Sequence, residues 1–361
     1  MKQLAILMAV GILGGVAAAD ASACTGIALT ARDGSRVVAR TVEWAATPMQ
    51  CGYVVAPRGH AHQSYTPTGE NGLTFKSKYG YVGMAVSQKE FIAEGINEVG
   101  LSAGLFYYPH YGSYLDYNPD YNSTTLADLQ LVAWLLSQYA TVDEVKQAVS
   151  GVRVVSLQPG PSADNALHWR VGDKSGKQIV IEIEDGVVHI YDNVIGVLTN
   201  SPNYRWHITN LNNYVNLTSQ NPKRHPMGSI DVYPFSYGSG YLGLPGDFTA
   251  PSRFVRAAFF KTTAPTLKTA RETMLQCFTI LNNFDIPIGM EYLKDELPDL
   301  PSATQWTSVI DLTHREIYYK TFYNNTIRRI ALADIDFEKV KYQYHPLDKK
   351  DSQPVETIKI K

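Results

Sequence analysis

The sequence is poor in cysteine. Three thiols in 361 residues, Cys24, Cys51 and Cys277, exclude a disulfide scaffold, because at least one must stay unpaired within the chain. Net charge is equally scant, with 32 basic against 34 acidic residues leaving −2 at pH 7, so no general attraction to nucleic acid or anionic membrane is implied. Beyond residue 23 the chain has no run of the ~20 apolar residues that a bilayer span requires. It also has no Pro/Gly/Ser linker, charge block or internal repeat at which to divide it. What is abundant is tyrosine, 23 in all, which fits a packed globular protein with aromatic-lined surfaces.

The first 23 residues have the three parts of an export signal. Lys2 supplies a short positive region, Leu4 to Ala19 an apolar run too short for a membrane anchor, and Ala21-Ser22-Ala23 a small-residue cleavage site. Residues 24–361 are then predicted to form one exported domain, periplasmic or secreted in a bacterium, whose new N-terminus is Cys24. A reactive side chain at a prospective N-terminus asks for a chemical reason.

Short apolar segments at 25–31 and 36–42 flank Asp33-Gly34, a two-residue hairpin signal. That loop places Cys24 opposite Glu43. Further strands are predicted at 178–184, 187–191, 195–199, 306–312 and 316–322. Helices are predicted at 126–139, at 141–149 behind the capping box opened by Thr141 and Glu144, at 252–260 and at 266–281. Strands and helices are grouped rather than alternating, which argues for layered α+β architecture. A free α-amine has a pKa of about 8 and can serve as general base for its own thiol. A cation lowers the thiol pKa, and Arg40 is the nearest candidate. Strand alternation puts Arg40 and Glu43 on opposite faces, so both reach Cys24 only through a bulge, a twist or side-chain length.

Several stretches, in order, together resemble the choloylglycine hydrolase and penicillin V acylase family: Cys24-Thr25-Gly26, Thr41 with Glu43-Trp44, GINEVGLSAGL (95–105), GVLTNSP (196–202) and LPGDFTAPSRFVRAAF (244–259). The resemblance implies the N-terminal nucleophile hydrolase fold, two antiparallel sheets stacked between helical layers, and cleavage of non-peptide amides without metal or cofactor. It implies Cys24 as nucleophile, Arg40 beside the thiol, Glu43 where relatives carry an aspartate that orients the amine, Asn200 as oxyanion support and Arg253 as a second site arginine. The remaining oxyanion position falls near Phe106, which offers only its backbone N–H, and Leu105, Phe106, Tyr107 and Tyr108 form an apolar and aromatic substrate wall. Conjugated bile salts are the expected substrates, with penicillin V and long-chain acyl homoserine lactones as rivals. In tetrameric relatives an insertion like residues 212–243 reaches a neighbouring subunit, so a homotetramer is expected.

Competing readings are blander. Cys24 also suits a lipidated anchor on a non-catalytic binding protein, although Ala21 stands where such signals carry an aliphatic residue. Cys51 and Cys277 read either as a bridge or as small buried apolar groups. His60 and His62 lack the further ligands a metal site needs, and His168, His207 and His314 have no cysteine in a recognisable nucleophile context.

Overall fold

A computed structural model describes residues 23–44, 49–158, 160–290 and 302–360. The segment read as an export signal, residues 1–23, lies outside these residues apart from Ala23. Two antiparallel sheets dominate. The first holds six strands in the spatial order Val197–Leu198, Cys24–Thr30, Arg36–Glu43, Thr304–Asp311, Glu316–Thr321, Arg328–Ala331. The second holds eight, in the order Val187–Asp192, Gln178–Glu184, Leu167–Asp173, Leu101–Tyr107, Ile92–Asn97, Tyr81–Val86, Cys51–Ala56, Gln343–Pro346.

Period-two alternation divides the faces of the six-stranded sheet. Ala28, Val38, Val42, Trp306 and Ile310 join the core shared with the eight-stranded sheet. Ile27, Val37, Ala39 and Val309 instead pack under the helices Ala250–Thr263 and Ala270–Leu281. The apolar helix Leu131–Gln138 covers the far side of the eight-stranded sheet through the strands Ile92–Asn97 and Leu101–Tyr107. The result is the helix–sheet–sheet–helix stack that the resemblance implies, with the beginning of the Cys24 strand held between layers.

The hairpin departs from the expected register. Ala31 N donates to Ser35 O (2.9 Å), Gly34 N to Ala31 O (3.1 Å), and Gly34 takes φ +89°, which makes a three-residue loop with glycine at the left-handed position. Every pairing therefore shifts by one. Cys24 lies opposite Val42, Gly26 opposite Arg40, and the residue facing Glu43 is Ala23, whose carbonyl accepts from Glu43 N (2.9 Å). Arg40 thus shares the face of Cys24. Glu43 sits where the neighbouring strand shifts register between Thr304 and Trp306, the irregularity that alternation required.

Other boundaries also differ. The stretch 126–139 is not one helix but a short strand Thr125–Ala127, a single turn Asp128–Gln130 and the helix Leu131–Gln138. The last long helix starts at Ala270 rather than 266, set by a capping box between Thr269 and Glu272. Cys51 and Cys277 are unbridged; one lies in the eight-stranded sheet, the other is buried on the helix Ala270–Leu281.

Candidate active site

The nitrogen of Cys24, here the amide joining it to Ala23, donates to Asn200 Oδ1 at 2.9 Å. Arg253, from the helix Ala250–Thr263, donates through Nη2 to the same oxygen (2.7 Å) and through Nη1 to the Cys24 carbonyl and Thr25 Oγ1. Asn200 Nδ2 donates to Tyr107 O at 2.7 Å. A guanidinium can only donate and a carbonyl can only accept, so these partners fix the orientation of the Asn200 amide. The segment carrying Asn200 is itself clamped, with His168 Nε2 3.0 Å from Thr199 O and His207 Nε2 2.9 Å from Asn200 O.

Arg40 is fully buried between the sheets. Its guanidinium lies 4.0 Å over the Phe106 ring and donates to the carbonyls of Ala93, Leu105 and Thr41. The balancing charge is Glu94, 3.8 Å from Arg40 Nη1, which also pairs closely with Arg170 and accepts from Ser102 Oγ (3.3 Å). All three ionic side chains are buried, so each charge depends on the others for compensation. Gly104 makes the arrangement possible, since a Cβ there would stand 2.1 Å from Glu94 Oε2.

The Cys24 side chain opens into a cleft of about 940 Å³, part of it continuous with open solvent. Its walls include Arg40, Val42, Glu43, Trp44, Met49, Phe91, Leu105, Tyr107, Leu129 and Leu167, with Asp128, Gln158 and Asn165 as polar members. Burial pushes the Cys24 thiol above its ordinary pKa; Arg40 is the strongest opposing influence, Glu43 adds to the rise, and Arg253 and the Tyr107 N–H lower it. Burial likewise lifts Cys51 to about 12 and raises Cys277, so both are poor thiolates.

The structure brings Cys24, Arg40, Glu43, Asn200, Arg253, Leu105 and Tyr107 together. Phe106 is a correction: its side chain is fully buried beneath Arg40 and against Gly26, where a Cβ would approach its Cζ to 2.8 Å, and it does not line the cleft. Alternation sends Leu105 and Tyr107 one way and Phe106 the other. The backbone N–H that reaches the thiol belongs to Tyr107, one residue beyond the expected position. Tyr108 is buried too, stacked on His168 at 4.5 Å. Sequence reasoning missed Glu94 and Arg170, although a charge inside the apolar strands IAEGIN and LHWRVGD is a signal for a buried pair. It also missed Asp128.

A two-sheet sandwich with a thiol at the head of a buried strand, ringed by arginines and hydrogen-bond donors, has the equipment of an acyl-transfer enzyme. The model of the linear amide C–N hydrolases, choloylglycine hydrolase family, matches residues 24–351, and the chain belongs to that family. It is 32% identical over 330 residues to the bile salt hydrolase/transferase of Clostridium perfringens, covering 89% of this chain and 97% of that one. It is 26% identical over 292 residues to the penicillin V acylase of Pectobacterium atrosepticum, covering 74% and 70%. A solved mutant of the conjugated bile acid hydrolase from Clostridium perfringens superposes with a TM-score of 0.80 at 27% identity, covering 93% of this chain and all of that one. The chain is accordingly a linear amide C–N hydrolase with the N-terminal nucleophile hydrolase fold.

Proposed function

We propose that the chain is exported, loses residues 1–23, and hydrolyses glycine- or taurine-conjugated bile salts through Cys24. The observation that carries this reading is the position of the Cys24 nitrogen, hydrogen-bonded to Asn200 Oδ1 beside a thiol that faces an apolar cleft. Cleavage turns that amide into an α-amine, removes the Ala23 carbonyl from Glu43 N, and leaves the Glu43 carboxylate, whose charge already acts on the Cys24 thiol, to balance the new ammonium. The amine takes the thiol proton, the thiolate attacks the amide carbon, and a tetrahedral oxyanion forms. Tyr107 N–H and the second N–H of Asn200 Nδ2 are the donors suited to it; each such donor is worth about two to three orders of magnitude in rate. The ammonium then protonates the departing amine, and water activated by the same group releases the acyl chain and regenerates the thiol.

Bile salts come first because the relative of higher identity and coverage is a bile salt hydrolase/transferase and the cleft is walled by apolar side chains able to hold a steroid. Penicillin V and long-chain acyl homoserine lactones are the rivals. Comparing kcat/KM for glycocholate, taurocholate, penicillin V and a long-chain acyl homoserine lactone decides among them, and a tenfold preference for penicillin V, about 1.4 kcal/mol, overturns the bile-salt choice. The arm of residues 212–243 exposes Val215, Phe235, Tyr237 and Leu242 almost completely, which supports assembly into a homotetramer through that arm.

A further inference from the structure

The wall of the cleft contains a buried carboxyl that the acyl-transfer chemistry does not use. Asp128 occupies the single turn between the strand Thr125–Ala127 and the helix Leu131–Gln138, 3% exposed, among Leu129, Leu105, Leu167 and Phe91. Its Oδ1 accepts from Leu129 N at 2.8 Å. No lysine, arginine or histidine among the described residues forms an ion pair with it. A carboxyl held in an apolar wall without a cation is costly, and a backbone turn alone needs no more than an Asn or Ser there. Burial raises its pKa to about 7, the Leu129 and Tyr114 hydrogen bonds opposing the rise, so near neutral pH it exists in both forms. As an acid it both donates and accepts; as a carboxylate it accepts. The lining of the cleft also carries the amide side chains of Gln158 and Asn165. Such a lining discriminates between a wholly apolar acyl group and one that brings a hydroxyl, because only the latter replaces the water that the carboxyl loses when the cleft fills.

We propose that Asp128 is a specificity-determining residue that hydrogen-bonds a hydroxyl carried on the acyl part of the amide substrate. The proposal rests on the reading of this cleft as the acyl pocket and extends it from an apolar group to a hydroxylated one.

The test uses the processed protein, beginning at Cys24, and the glycine conjugates of cholanic acids bearing three, two, one or no ring hydroxyls. Wild type is expected to lose at least tenfold in kcat/KM when one particular hydroxyl is absent. In Asp128→Leu that preference should collapse, the ratio of kcat/KM between hydroxylated and hydroxyl-free conjugates falling to within twofold of one, and Asp128→Asn should restore part of it. Absence of any hydroxyl preference in wild type overturns the proposal without reference to a variant. A uniform loss across the series in Asp128→Leu, or an effect that follows the glycine or taurine instead of the acyl group, overturns it as well. Should wild type hydrolyse penicillin V and no steroid conjugate, the bile-salt reading falls. The Asp128 proposal is then decided by the same ratio on 4-hydroxyphenylacetyl-glycine against phenylacetyl-glycine.

Discussion

Replacing Asp128 by Asn should stabilise the protein, and increasingly so as the pH rises. In the folded chain burial raises this carboxyl from its ordinary 3.8 to about 7. Below pH 4 folded and unfolded chains both hold the proton and the site costs nothing. Between those values the unfolded chain releases its proton first, so the folded state loses stability with rising pH until the folded carboxyl ionises. Three pH units at about 1.4 kcal/mol each give a cost of roughly 4 kcal/mol that Asn, uncharged at every pH, does not bear. Asn also keeps an oxygen for the 2.8 Å bond from Leu129 N. Urea unfolding followed by tryptophan fluorescence at pH 5 and pH 8 should show the advantage of the variant growing by about 2.5 kcal/mol. Because every other titrating group is common to both proteins, an advantage that stays constant between these pH values, or a variant less stable at pH 8, refutes the reasoning.

Further outcomes follow from the site. A chain retaining Ala23 before Cys24 should fold yet show no amidase activity, since its Cys24 nitrogen is an amide and not a base; full turnover by such a chain, with the intact N-terminus verified by mass spectrometry, refutes the amine mechanism. Arg40→Ala should move the pH profile of Cys24 alkylation upward and Glu43→Gln downward, because the guanidinium favours the thiolate and the carboxylate opposes it; shifts of the same sign would contradict the assignment. Glu94→Gln removes the anion shared by Arg40 and Arg170 and should cost about 3 kcal/mol in denaturant stability together with a fall in kcat larger than the change in KM. Replacing Phe235 and Tyr237 by Ser should leave turnover per chain intact and convert the assembly to smaller species in sedimentation; a wild-type monomer at micromolar concentration would rule the tetramer out.

Much of the six-stranded sheet was legible because its hairpins announce themselves. Arg36–Glu43 and Glu316–Thr321 lie within a residue of where their patterns place them. In the eight-stranded sheet the hairpin of Gln178–Glu184 and Val187–Asp192 was legible too, but the strands at its centre were not. Tyr81–Val86, Ile92–Asn97 and Leu101–Tyr107 are buried along nearly their whole lengths and lack alternation, and each carries a glycine where a facing side chain needs room. A continuous apolar run tells of burial but not of strand or partner.

The sequence by itself determined the chemistry available: a cysteine behind a cleavage motif, two arginines, a carboxylate and an asparagine in an order whose spacing is a local property of the chain. Tertiary structure decided what those groups face. A one-residue difference in a hairpin loop put Ala23 rather than Cys24 across from Glu43, and pairing in a sheet that sequence does not reveal turned Phe106 inward and brought the Tyr107 N–H to the thiol. Glu94, Arg170 and Asp128 acquire meaning only from burial, because the free energy of a charge depends on the atoms that replace its water, and those atoms come from strands far apart in the chain.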